Sequence, residues 1–307
     1  MPLYRDKRRK QRKKKINNIM VFLLAFVLFL VVFGGICLWA VIKINEARQT
    51  SEPSSVVSSD EPSFGPEDAR TLLIVTTYKG ESQGFVAVRA NPEKSAVHTL
   101  AFPRDTVVDY KTSEIRLHEL TDRHGIVVAR DALSTLTGIS FDNYMVITYD
   151  NIEKLITHFE SGVIMNINED LNYRDQDMVV DLDSGLRTLS AAQAVNVLRY
   201  PSWNGGRKQQ ADIQAQMTAA LINQYMKASR ENKADDDFSF IVNLAAKTDI
   251  LVPHYKNAKQ GLSYLAENND GNLCKSVSFA GGYQGSGKEI RYYAADNIKV
   301  SLKSIFD

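Results

Sequence analysis

A layered α/β/α domain with a mixed central sheet, preceded by one transmembrane helix, is the fold the sequence predicts, and three observations predict it. Residues 19–42 run for 24 positions without a charge and are rich in Val, Leu and Phe. Beyond residue 70, short β-branched runs alternate with stretches of helical apolar spacing, which is the pattern of stacked α and β layers. Third, the 37 basic and 36 acidic side chains of the 307 residues leave a formal charge of only +1, but they are divided unevenly. The first fifteen residues hold nine Lys or Arg against Asp6, a net of +8, and the remainder carries −7.

The apolar run explains the division. As a helix it would be about 36 Å long at 1.5 Å per residue, enough to cross a hydrocarbon core of about 30 Å. It exceeds the roughly 7 to 15 apolar residues of a cleaved signal peptide, and Trp39 to Ile42 offers a poor cleavage site. The sequence therefore predicts an uncleaved signal anchor at 19–42. The basic tail at 1–18 is expected to stay in the cytoplasm, because only Lys43 and Arg48 follow closely on the other side. The chain is thus expected in the cell membrane as a single-pass protein with its C-terminal domain outside the cytoplasm. The tail has no helix-turn-helix or zinc pattern beside it, and the acidic bulk lies across the bilayer, so no nucleic-acid partner is expected.

Residues 43–70, rich in Ser and Pro, read as a flexible stalk. The folded domain is expected over 71–307, about 235 residues, enough for one sizeable core. Thr71 to Thr77 is a short β-branched run typical of a buried strand. Gly84 to Arg89 ends at the turn Asn91-Pro92, and Ala96 to Phe102 ends at Pro103, so three strands open the domain. His118 to Gly125 reads as helical, as does Val127 to Leu136 before Gly138. A strand at 144–149, a helix from Asp150 as N-cap to about Phe159, and a strand at 162–167 follow. Ser190 caps a helix to Leu198, and a longer helix runs from about Gln209 to Lys227. Asp235 to Asp237 read as a solvated turn beside a helix, and Gly281 to Gly287 as a hairpin turn rather than a phosphate cradle.

Several chemistries are set aside. Cys37 lies in the apolar run and Cys274 is alone outside it, so no intrachain disulfide can form in the exterior domain. The five histidines have no metal-ligand spacing, and neither a GxSxG elbow, a GxxxxGK[ST] loop nor an SxxK motif is present.

Leu100 to Thr106 contains Pro103-Arg104-Asp105-Thr106, and Ala192 to Tyr200 ends in Arg199-Tyr200. Ile115 to His118, Gly138 to Tyr144 and Leu186 to Ala192 lie between and before these in a fixed order. In that order and spacing, over residues 71–226, the chain resembles the LytR-CpsA-Psr family, and the anchored topology resembles it too; residues 227–307 form the C-terminal part.

The resemblance implies a phosphotransferase of Gram-positive envelopes that moves a glycopolymer, of teichoic acid or capsule type, from a polyprenyl diphosphate carrier to peptidoglycan. Its implied partners are that lipid-linked glycan, peptidoglycan and the membrane. Guanidinium groups suit the oxygens of a diphosphate. Arg104, Asp105 and Arg199 are the residues the resemblance places at the reaction, with Arg116, Arg207, Gln209 and Gln216 as further contacts to the head group. Asp105 also reads as a residue that fixes Arg104. Over 205–216 two registers stay open, one that keeps Arg207 as a family arginine and one that keeps neither.

The resemblance also implies magnesium held by two aspartates. Thr77 and Gly84 stand about where those aspartates belong, so the metal ligands are replaced and no metal residues are assigned. Two readings follow: an active transferase with unusual ligands, or a catalytically impaired relative that binds lipid-linked glycan or an envelope partner as regulator or scaffold.

Overall fold

The computed structural model describes residues 62–159 and 162–306. The basic tail, the signal anchor and most of the stalk lie outside the described residues. Among the described residues no helix is long and apolar enough to cross a membrane. Residues 62–69, assigned to the stalk by composition, carry a 3-10 turn at Pro66–Asp68, and Phe64 packs its ring 5.0 Å from that of Tyr264.

The chain forms strands β1 (Arg70–Tyr78), β2 (Glu81–Asn91), β3 (Ala96–Phe102), β4 (Val107–Tyr110) and β5 (Ser113–Arg116), then helices α1 (Leu117–His124) and α2 (Ile126–Thr137). Strand β6 (Asn143–Thr148), helix α3 (Tyr149–His158), strands β7 (Val163–Ile167), β8 (Leu171–Arg174), β9 (Val179–Leu182) and β10 (Gly185–Leu189), and helices α4 (Ala191–Arg199) and α5 (Gly206–Tyr225) follow. The C-terminal part adds α6 (Ala234–Leu244), β11 (Lys247–Thr248), α7 (Val252–Glu267), β12 (Cys274–Val277), the hairpin β13 (Gly281–Gln284) and β14 (Arg291–Ala294), and α8 (Ile298–Phe306).

The central sheet has the order β11-β6-β1-β2-β3-β12. The pairs β1·β2, β2·β3 and β6·β11 are antiparallel, whereas β1·β6 and β3·β12 are parallel, so the sheet is mixed as expected. Alternation along β1 sends Leu73 and Val75 to one face and Ile74 and Tyr78 to the other. The first face meets Leu117, Leu120, Ala129, Leu133, Leu302 and Phe306 of α1, α2 and α8. The second meets Ile152, Ile156, Val197, Ile213 and Met217 of α3, α4 and α5. This is the layered arrangement the alternating sequence predicts.

Two local details position the site. Helix α3 is capped by Thr148, whose hydroxyl accepts from Asn151 N at 3.2 Å, and not by Asp150, which lies inside the first turn. Thr148 wins because its extended backbone leaves the hydroxyl over the free amides of that turn. Helix α5 approaches the sheet closely because Ala211 and Ala215 face Val86 and Ala101, and Thr99 Oγ1 donates to Ala215 O at 2.9 Å.

Candidate functional site

β3 leads into the turn Pro103-Arg104-Asp105-Thr106, and every carbonyl of that turn is engaged. Pro103 O accepts from Thr106 N at 2.9 Å and from its hydroxyl at 2.6 Å. Arg104 O accepts from His118 N at 3.1 Å and from His118 Nδ1 at 2.8 Å, which fixes the ring proton on Nδ1. Asp105 O accepts from Tyr292 N at 2.9 Å, and Thr106 O from Leu117 N at 2.8 Å. The root of the Arg104 side chain is therefore held from three sides.

The guanidinium of Arg104 donates through Nη1 to Gln83 Oε1 at 2.5 Å, while its Nε is buried without a partner. Gln83 is available because β1 and β2 pair regularly up to Thr76↔Gly84 and then shift, so that Thr77 faces Ser82 and Gln83 is left over. Such a bulge re-aims a side chain. Burial, and then the nearby charge of Arg207, push the Arg104 pKa below its ordinary value, against Asp105, Glu81 and Asp122.

Asp105 is fully buried and accepts from Arg207 Nη1 at 2.5 Å. Its Oδ1 makes no hydrogen bond, and His118 Nδ1 stands 3.7 Å away. The buried hydroxyl of Tyr283 is likewise unpartnered, and burial followed by the Asp105 charge raises its pKa. Asp105 is thus the paired counter-charge of Arg207, and its charge also acts on Arg104.

Arg199 arrives from the helical layer on the second face of the sheet. The box in which Ser190 Oγ accepts from Gln193 N and Gln193 Oε1 from Ser190 N starts α4, and the helix delivers Arg199 at its last turn. Its guanidinium lies 4.1 Å from the centre of the Tyr78 ring, which in turn stands 6.2 Å from Tyr149. The Tyr149 hydroxyl has its pKa raised by burial, opposed by Thr76, Arg199, Arg104 and Gln214. The charges of Arg104, after β3, and of Arg199, at the end of α4, both oppose the rise that burial gives this phenol. Arg207 joins the group through Asp105.

The other expected contacts, Arg116, Gln209 and Gln216, have partners or neighbours of their own, and Arg116 stands near His118. Arg116 forms an ion pair with Glu119, its Nε donating to Oε1 at 3.1 Å, so its charge is already matched. Gln209 accepts from Gly205 N at 2.6 Å and donates to Glu169 at 3.2 Å, a role in shaping the turn before α5. That turn uses Gly206 at φ +61. Gln216 follows Lys208 and Asp212 at four-residue spacing, on the stripe where Lys208 Nζ contacts Asp212 and Ser278 at 2.6 Å. It is about 200° around the helix from Gln214.

Gln214, Thr76, Tyr149, Tyr78 and Gln83 were not singled out from sequence. A signal existed for Gln214: its spacing from Ala211, Ala215 and Thr218 puts it on the small-residue stripe that meets the sheet, although a glutamine there breaks the apolar pattern.

The residues do not fit magnesium. The register sets Thr76, rather than Thr77, opposite Gly84. The oxygen donors gathered there, Thr76, Tyr149 and Gln214, are neutral and lie beside two guanidiniums, whereas a hard divalent cation takes ionised carboxylates. Among the described residues no group of three or more His, Cys, Asp or Glu is placed to hold a metal. Two cavities, of about 260 Å³ beside Gly138 and Lys299 and about 530 Å³ beside Glu153 and His158, lie away from the arginines.

The family model described as the LytR_cpsA_psr family matches residues 48–294. The chain belongs to the LytR-CpsA-Psr family. Solved structures of the same fold include a protein of Eubacterium siraeum described as a transcription regulator, with a TM-score of 0.71 at 16% identity over 83% of this chain and 98% of that one. TagV of B. subtilis gives a TM-score of 0.64 at 18% identity, covering 78% of this chain and 95% of its own. TagT bound to LIIa-WTA gives 0.62 at 14% identity, covering 83% and 95%. No curated protein matches the sequence. For this LytR-CpsA-Psr family member the likeness establishes the fold, and the roles of Arg104, Arg199 and Arg207 rest on their geometry.

Proposed function

We propose that this protein is a membrane-anchored, extracytoplasmic phosphotransferase of the cell envelope that moves a glycopolymer from a polyprenyl diphosphate carrier to peptidoglycan. The observation that carries the reading is that Arg104, at the end of a sheet strand, and Arg199, at the end of α4, both bear on the buried Tyr149 phenol, with Arg207 beside Arg104, in a domain whose chain beyond residue 15 has a net charge of −7. Clustered guanidiniums in an acidic domain suit a ligand with dense negative charge. A family fold shared with TagT, which has been seen bound to LIIa-WTA, supports the same substrate class.

In the reaction, an acceptor hydroxyl oxygen forms a bond to the phosphorus that bears the glycan, and the bridging P–O bond breaks. Polyprenyl phosphate leaves with the bonding pair, and the hydroxyl proton passes to solvent. Arg104 and Arg199 would hold the diphosphate and stabilise charge growing on the departing phosphate. Asp105 fixes Arg207, and Gln83 holds the guanidinium of Arg104, so both cations are pre-positioned.

A second reading, binding without transfer in a regulating or scaffolding role, is favoured by the neutral residues at Thr76, Gly84 and Gln214. The test incubates the full chain in detergent with a polyprenyl-diphosphate-linked glycan and peptidoglycan. Release of polyprenyl phosphate, lost in Arg104→Ala, supports transfer. Lipid retained without release supports the second reading, and neither retention nor release refutes both.

A further inference from the structure

The pairing of Gly84 with Gln214 bears directly on how an anion would be held. A Cβ built on Gly84 would lie 2.6 Å from Thr76 Oγ1, and 2.6 and 2.7 Å from Oε1 and Nε2 of Gln214. The Gln214 amide therefore fills the volume that any side chain at position 84 would enter. It is itself buried, at 4% exposure, and is set there by the alanine stripe that draws α5 onto the sheet. The Thr76 hydroxyl at this place is buried, with the Tyr149 phenol and the Gln214 amide as its polar neighbours, and Arg104 Nε is buried without a hydrogen-bond partner.

The nearby carboxylates are Asp105, whose Oδ1 is unpartnered, Asp122 and Glu81. Asp105 pairs with Arg207, and Asp122 accepts from Ser82 N at 3.0 Å and from Ser82 Oγ at 2.7 Å. Glu81 is exposed at the start of β2. A divalent cation would have to displace a buried glutamine and settle among neutral donors beside two guanidiniums, which its charge and ligand preference both oppose.

We infer that this site binds the diphosphate of an isoprenoid lipid without a divalent cation, Arg104 and Arg199 contacting the phosphate oxygens directly and Gly84 with Gln214 closing the position a cation would take. The inference rests on the proposed diphosphate-binding reading and deepens it. Thr76 Oγ1 and the Gln214 amide then act as neutral donors to the same anion.

The experiment titrates the full chain in detergent with farnesyl diphosphate, by calorimetry, in EDTA and in magnesium. Binding in EDTA with no more than about a threefold gain in magnesium is the expected result. A larger gain overturns the inference and leaves the diphosphate reading standing, whereas no binding in either buffer refutes that reading itself. Gln214→Glu, of nearly the same shape, tests the placement separately by putting a carboxylate among the arginines. Its affinity in EDTA should fall at least about tenfold, and an affinity equal to wild type would overturn the assignment of Gln214. A thermal midpoint measured on the same variant shows that it is folded.

Discussion

Replacing Asp105 with Asn should destabilise the domain more than any change at an exposed charge, because it removes the counter-charge while keeping the shape. Asp105 is 0% exposed and its Oδ2 lies 2.5 Å from Arg207 Nη1. Breaking a buried pair by removing one partner costs about 3–5 kcal/mol. The Arg207 side chain is 48% exposed, so solvent screening reduces the expected loss to about 1.5–3 kcal/mol. Part of that loss is the repulsion between Arg104 and Arg207, which the carboxylate now offsets. For a domain of this size each kcal/mol moves the midpoint by about 2–4 °C, so a fall of roughly 3–12 °C is expected. Thermal unfolding followed by circular dichroism measures it. In a double-mutant cycle, Asp105→Asn with Arg207→Gln should cost less than the sum of the two by at least about 0.5 kcal/mol. A midpoint within about 1 °C of wild type, or strict additivity, would refute the placement of Asp105 as the counter-charge of Arg207.

Two further outcomes are expected. Arg116→Ala should change affinity for farnesyl diphosphate by less than about threefold, because Glu119 already matches its charge, while Arg104→Ala should weaken it at least about tenfold; equal losses would show that Arg116 belongs to the site. His98 and His118 both have pKa values lowered by burial, His98 also by Lys275, Lys94 and Arg89. A lowered folded-state value means that the unfolded chain takes up protons first, so their contribution is present above about pH 6.5 and is lost as pH falls through the folded values. Denaturant titrations between pH 7.5 and 5 should show that loss, with a shallower slope in His98→Gln; an unchanged slope would contradict it.

Much of the scaffold was legible because its signals are local. The β-branched runs at 71–77, 84–89 and 96–102 and the capped helix after Ser190 each announce themselves within a few residues. The strands β4, β5, β8 and β9 are four residues each and depend on partners brought by the turn, so no period could reveal them. The cationic half of the site was legible because Arg104 and Arg199 sit in ordered motifs. The neutral half was not. Gln214 and Thr76 matter because a register and a bulge bring α5, β1 and β2 together, and a one-residue shift there decides that Thr76, not Thr77, faces Gly84. Gln214 and Gln216 differ for a like reason: two positions on one helix place one against the sheet and the other on the stripe of Asp212.

The proposed grip of Arg104 and Arg199 on one diphosphate is the contact on which the function depends. It is tested most directly by titrating the full chain in detergent, wild type and Arg104→Ala/Arg199→Ala, with a polyprenyl-diphosphate-linked glycan. A loss of about a hundredfold or more in affinity is expected for the double variant with its thermal midpoint kept, since each arginine contributes a charge-assisted contact of about 1.5–3 kcal/mol. Affinity undiminished in the folded double variant would contradict it.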